Sequence, residues 1–169
     1  EELLKYDKKE NYKANARGVD LNTNFNANWG TGKYNNLLYP SSQNFVGYKP
    51  NSEPETKALI SVTENFEPFI TLSYHSKGEL IFWGYEGQSK ITEEIQKKYL
   101  NLLVKQTGYK PVFTKKSSGG YKDYCLLNLN TVGFTIEVGN DSLSHPIPLT
   151  ELKNIFLKHK DLVLLLLKV

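Results

Sequence analysis

The chain has 169 residues, 39% of them hydrophobic and 23% charged, which suits one ordinary domain with enough apolar side chain to bury a core. A net charge of +3, with lysine pairs scattered at 8–9, 97–98 and 115–116, excludes the concentrated basic surface that a nucleic-acid partner demands. A single cysteine, Cys125, excludes an internal disulfide and a cysteine-rich zinc cluster; the longest apolar run, Leu162 to Leu167, is far shorter than a bilayer requires, so no membrane partner is expected.

Glu1 to Asn11 is charged, carries Leu3, Leu4 and Tyr6, and reads as the tail of a helix that begins earlier. From Tyr12 to Phe25 the chain is dense in asparagine and short of periodicity, the pattern of a loop held by side-chain to backbone hydrogen bonds. Asn26 to Asn51 continues this irregular stretch, punctuated by glycine and proline, and its aromatic residues argue for an ordered loop rather than disorder. Ser52, with Pro54 in the first turn and Glu55 as reciprocal partner, predicts a capping box that opens a helix running to about Phe66. Phe69 to Tyr85 reads as two strands joined by a short turn at Ser76-Lys77-Gly78. Apolar residues at 91, 95, 99, 102 and 103 predict a helix from Ile91 to Thr107, stopped by Gly108. A short strand at Val112-Phe113, a Gly119-Gly120 turn, a helix from Tyr121 to Leu129, a strand from Val132 to Val138 and a terminal helix from Leu149 to Leu167 follow. Strands alternating with helices favour an α/β layered domain.

Two residues stand out chemically. His75 ends an apolar strand between Ser73 and Ser76, where the sheet fixes the backbone and the ring can face a cleft. That posture serves a metal ligand, a general base or a merely hydrogen-bonded residue at the edge of a core. Glu137 lies in a short apolar strand whose alternation puts Phe134, Ile136 and Val138 on one face and Thr135 with Glu137 on the other. A carboxylate there is costly to leave unpaired, so it is either ion-paired or kept for chemistry. His145 and His159 read as surface residues, and Cys125 as packed helix interior.

In order, GVDLN-x-NF, SEPET before a helix, SYHS in a strand, a Gly-Gly turn and FTIEVG resemble the zinc carboxypeptidase family, from about Asn15 to Asn140. Glu137 lies 17 residues beyond Gly120, which matches the family without a gap. The resemblance implies a mixed sheet flanked by helices, lacking its N-terminal strands. It implies that His75 is a zinc ligand, and that Glu137 takes a proton from a zinc-bound water and passes it to the leaving amine. It implies that Asn22 helps hold a substrate carboxylate, and that Lys13, with Arg17 as a nearby substitute, fills the slot of the arginine that polarises the scissile carbonyl. Ser76 reads as a turn residue beside the ligand rather than a nucleophile, since no G-x-S-x-G surrounds it.

Three departures from the family bear on substrate. Thr23 stands where exopeptidases carry the arginine that clamps a free C-terminal carboxylate. Lys115 replaces a tyrosine over the substrate, and Lys122 with Asp123 falls where specificity-pocket residues lie, so a charged substrate side chain fits. The bacterial branch that this pattern resembles cleaves peptidoglycan stem peptides at the γ-D-glutamyl to diamino acid bond, and the expected substrate is of the γ-D-glutamyl-diaminopimelate type. The family's other zinc ligands come from an H-x-x-E motif, and none of the three histidines here begins one. The 169 residues are therefore expected to be the C-terminal part of one catalytic domain, with zinc doubtful in this chain alone and its remaining His and Glu ligands upstream. An exposed sheet edge would then invite a dimer or the missing N-terminal fragment. The alternatives are a catalytically inactive module whose loop from Asn15 to Tyr48 binds wall glycan or peptide, and an ordinary metallocarboxypeptidase.

Overall fold

The ends of the two longest helices among the described residues show how local and distant partners divide the work. The computed structural model describes residues 12–168, so the helix tail expected at Glu1 to Asn11 lies outside the described residues. Helix α1 spans Pro54–Phe66 and helix α2 spans Lys90–Thr107. Helix α2 starts and stops on its own signals: the Ser89 hydroxyl accepts the Thr92 N–H, and Gly108 takes the left-handed conformation that ends the last turn. Helix α1 does not. The capping box of Ser52 and Glu55 is not formed, because the N-cap is Glu53 and no side chain caps it locally. The Glu53 N–H instead donates to Asn24 Oδ1 at 3.2 Å, and Ser52 Oγ accepts from Asn24 Nδ2 at 3.0 Å. A buried asparagine from the preceding loop has replaced the local cap.

The sheet has four strands, β1 (Ile70–Ser76), β2 (Leu80–Tyr85), β3 (Lys110–Thr114) and β4 (Val132–Val138), in the spatial order β1-β4-β2-β3. The turn after Ser76 does join β1 to β2, but the two do not pair. Strand β4 inserts between them, parallel to β1 and antiparallel to β2, while β3 runs parallel to β2 at the far edge. The reason is burial: Phe134 and Ile136 of β4 are fully buried, and the centre of the sheet is where such a strand covers both faces.

Ile81, Phe134 and Ile136 pack under Leu100 and Leu103 of α2, together with Leu162 and Leu166 from the C-terminal end. On the other face, helix α3 (Tyr121–Asn128) packs its Tyr124 against Phe25 and Ala27 of the loop. The terminal helix expected from Leu149 to Leu167 is broken into a short 3-10 turn at Leu149–Glu151, α4 (Leu152–His159) and α5 (Leu162–Leu166). The break at Lys160 and Asp161 lets the last turn bury Leu162 and Leu166, while His159 seats against the rings of Tyr74 and Tyr109. His159 is thus half-buried rather than a surface residue.

Candidate active site

Strand register brings the two singled-out residues together. In the parallel pairing of β1 with β4, His75 stands opposite Glu137. Neighbouring strands lie about 4.8 Å apart and residues in the same phase share a face. The imidazole and the carboxylate therefore emerge side by side at the carboxyl ends of both strands, on the face away from Phe134 and Ile136. That end of a sheet is where ligands of open α/β folds generally sit.

Over this pair lie two cavities, of about 680 and 490 Å³, that share Asn22, Asn35, His75 and Glu137 as lining residues. The first is completed by Lys13, Asp20, Thr23, Ser76 and His145. The second is completed by Lys115, Lys122, Asp123, Phe82 and Thr135. Of the residues expected at the site, only Arg17 lines neither cavity; its guanidinium points to Glu53, 3.8 Å away.

The asparagine-rich loop builds the shared rim. Asp20 accepts the backbone N–H of Asn22 on one oxygen at 3.3 Å and that of Asn44 on the other at 2.9 Å, tying two arms of the loop together. The Thr23 hydroxyl donates to the Asp20 carbonyl at 2.8 Å, a structural use that leaves it no part in clamping a carboxylate. Asn22 Oδ1 accepts the Tyr121 N–H at 3.1 Å, leaving its amide N–H groups for a ligand. The Gly-Gly turn presses on the same segment: a Cβ at Gly119 would lie 2.2 Å from the Thr23 carbonyl oxygen, and its φ of +75° disfavours any other residue.

Burial and nearby charge perturb both the shared pair and the second cavity. Burial lowers the His75 imidazole below its ordinary pKa, with the Lys13 charge adding to the effect and Asp20 opposing it. Burial raises the Glu137 carboxyl, which Lys13 opposes and Asp141 assists. In the second cavity the Lys122 ammonium bonds Asp123 Oδ1 and the Gly84 carbonyl, the latter at 2.9 Å. Burial pulls that ammonium down and the Asp123 carboxyl up, against the attraction that each exerts on the other. Gly84 can present its carbonyl there because it sits at a bulge in β2 with φ of +62°, where a Cβ would strike the Phe113 ring.

Sequence reasoning missed Asn35, Asn44 and His145, whose contribution depends on loop paths that no local pattern encodes. Asp20 sits inside a quoted motif but was assigned no role; its position as N-cap of the 3-10 turn at Leu21–Thr23 was the available signal.

The sequence profile of the zinc carboxypeptidase family matches residues 1–160. The chain is similar to gamma-D-glutamyl-L-diamino acid endopeptidase 1 of Lysinibacillus sphaericus, 30% identical over 145 residues that make up 86% of this chain and 35% of that protein. Among solved structures it is similar to the murein-tripeptide amidase of Escherichia coli O157, with a TM-score of 0.59 at 28% identity, covering 88% of this chain and 59% of that one. Its fold is also that of carboxypeptidase A from Helicoverpa armigera, with a TM-score of 0.68 at 19% identity, covering 86% of this chain and 40% of that one. The chain thus spans about a third of the length of the endopeptidase it matches. A catalytic zinc takes about three protein ligands. Among the described residues no group of three or more His, Cys, Asp or Glu side chains is arranged to hold a metal ion, so they do not fit a complete zinc site.

Proposed function

The chain belongs to the zinc carboxypeptidase family, and from that premise we propose that it forms the His75–Glu137 side of a peptidase cleft that hydrolyses an amide bond in peptidoglycan stem peptides, of the γ-D-glutamyl-diaminopimelate type. The observation that carries the reading is the register of His75 against Glu137 at the junction of the two cavities. A scissile amide at that junction would have its acyl side in the first cavity and its leaving-amine side in the second.

Glu137 is the proton carrier. It accepts a proton from the attacking water and delivers it to the leaving nitrogen, and a carboxyl raised by burial is better matched to both tasks near neutral pH. Lys13 places positive charge where the acyl oxygen becomes negative. The amide N–H groups of Asn22 hold a substrate carboxylate. In the second cavity, Lys122 and Asp123 offer a positive and a negative pole that cancel, which suits the ammonium and carboxylate at the far end of a diaminopimelyl side chain better than a single charge. Lys115 stands beside them on the wall. Thr23, in place of a bidentate arginine, removes the grip on a free C-terminal carboxylate that an exopeptidase needs. Zinc belongs to the family's chemistry, but of the implied ligand set the described residues supply only His75.

The test is hydrolysis of a γ-D-glutamyl-diaminopimelyl peptide, with zinc present, by a polypeptide that joins this chain to the family's remaining His and Glu ligands. Cleavage at the γ-glutamyl amide is expected, with kcat reduced about 10²- to 10⁴-fold in Glu137→Gln. Release of only C-terminal hydrophobic residues from ordinary peptides would overturn the substrate assignment. A second reading, a wall-binding module, is favoured by the exposed rings of Tyr34, Tyr39 and Tyr48 in the loop. Retention on glycan strands without cleavage, lost when these tyrosines become serine, would select it.

A further inference from the structure

His145 belongs to neither the strand pair nor the motifs, yet it lines the first cavity beside Lys13, His75 and Glu137. The loop that carries it follows β4 directly and is fastened to the turn that follows His75. Gly139 O accepts the N–H of Gly78 at 2.7 Å and of Glu79 at 3.1 Å, and the Lys77 ammonium donates to the carbonyls of both Asp141 and Leu143. Asn140 Nδ2 adds a bond to Glu79 Oε2 at 3.2 Å. Although exposed, the loop is therefore held by one cation and several backbone bonds in a fixed relation to the end of β1.

The chemistry of the first cavity is asymmetric. Two acidic groups line it, Glu137 and Asp20, and each oxygen of Asp20 accepts a backbone N–H. Against them stand donors: the Lys13 ammonium, the His145 imidazole and the amide N–H groups of Asn22, whereas Asn35 spends an N–H on the Ser118 carbonyl. The ammonium and the imidazole on one wall can together receive an anionic group. A γ-linked glutamyl residue carries such a group, since its α-carboxylate stays free a few bonds from the acyl carbon, whereas an α-linked residue with a neutral side chain has none.

We propose that His145 is a further substrate-binding residue, which with Lys13 receives the free α-carboxylate of the γ-glutamyl residue on the acyl side of the scissile amide, and that Lys77 is the positioning residue that sets its loop. The assignment rests on the substrate reading above.

Binding, which needs no turnover, tests it. The chain has three histidines, so the imidazole signals can be assigned by single substitution and followed by NMR while γ-D-glutamyl-diaminopimelate and its α-carboxamide are titrated separately. The free acid is expected to bind about tenfold more tightly than the amide, a difference of about 1.4 kcal/mol, and to shift the His145 signals. In His145→Ala that tenfold preference disappears, while His145→Gln, which keeps an N–H donor, retains most of it. Lys77→Met is expected to weaken the preference with the melting temperature nearly unchanged. Equal binding of acid and amide by the unaltered chain, or an undiminished preference in His145→Ala, overturns the proposal and leaves the peptidase reading standing. Failure of both ligands to bind removes the substrate reading and this assignment with it.

Discussion

Asn24 offers the sharpest test of how the loop is held. Its side chain is fully buried and makes four contacts, donating to the carbonyls of Val46 at 2.8 Å and Lys49 at 3.2 Å and to Ser52 Oγ at 3.0 Å, and accepting the Glu53 N–H at 3.2 Å. Leucine has nearly the same shape, so Asn24→Leu leaves no large void and isolates the polar loss. Three of the abandoned partners keep an alternative: Val46 O still receives Trp29 Nε1, Ser52 Oγ still reaches Glu53, and Lys49 O lies on an exposed residue. Those bonds cost about 0.5–1 kcal/mol each, whereas the Glu53 N–H, in a residue only 3% exposed, is orphaned at about 1–3 kcal/mol. The sum is about 2.5–6 kcal/mol, which for a chain of this size lowers the melting temperature by on the order of 10 °C. Urea unfolding followed by fluorescence of Trp29 and Trp83 measures it directly. A loss below about 1 kcal/mol with an unchanged slope would refute the claim that a tertiary cap, rather than α1 itself, fixes this junction.

Further outcomes concern the site and the C-terminal helices. Because burial raises the Glu137 carboxyl, its folded form favours the proton, and stability present below the ordinary carboxylate range is lost as pH rises through the raised value. Glu137→Gln should therefore melt higher than the unaltered chain at pH 7, with the two converging in acid; parallel curves at all pH values would contradict this. Asp123→Asn leaves the buried Lys122 ammonium without its counter-charge and should cost about 3–5 kcal/mol, most of it recovered in Lys122→Met/Asp123→Leu, as denaturant titration would show. Burial, aided by the Lys158 charge, lowers the His159 imidazole, so its contribution is intact above the ordinary histidine range and lost as pH falls through the lowered value. His159→Gln should flatten the acid limb of the melting curve, and an unchanged limb would place the acid sensitivity elsewhere.

Much of this was legible in the residues. The end of helix α2 was legible at Gly108, because a glycine stop acts over a single turn; the Ser89 N-cap, equally local, sets the start one residue before the apolar period does. The phase of β4, with Phe134 and Ile136 inward and Glu137 outward, follows from a period of two and needs no knowledge of the fold. The likeness of five short motifs in order was enough to name the family. Pairing was not legible: the short turn after Ser76 marks where β1 ends and β2 begins but carries no information about β4, more than fifty residues away, taking the place between them. The same limit hid the Asn24 cap, the burial of the Lys122–Asp123 pair and the place of His145 on the cavity wall. Propensity, capping and alternation are short-range and are written in adjacent residues. The partner of a buried polar group or a central strand is settled by which distant segments can cover it together, and only the assembled chain decides that.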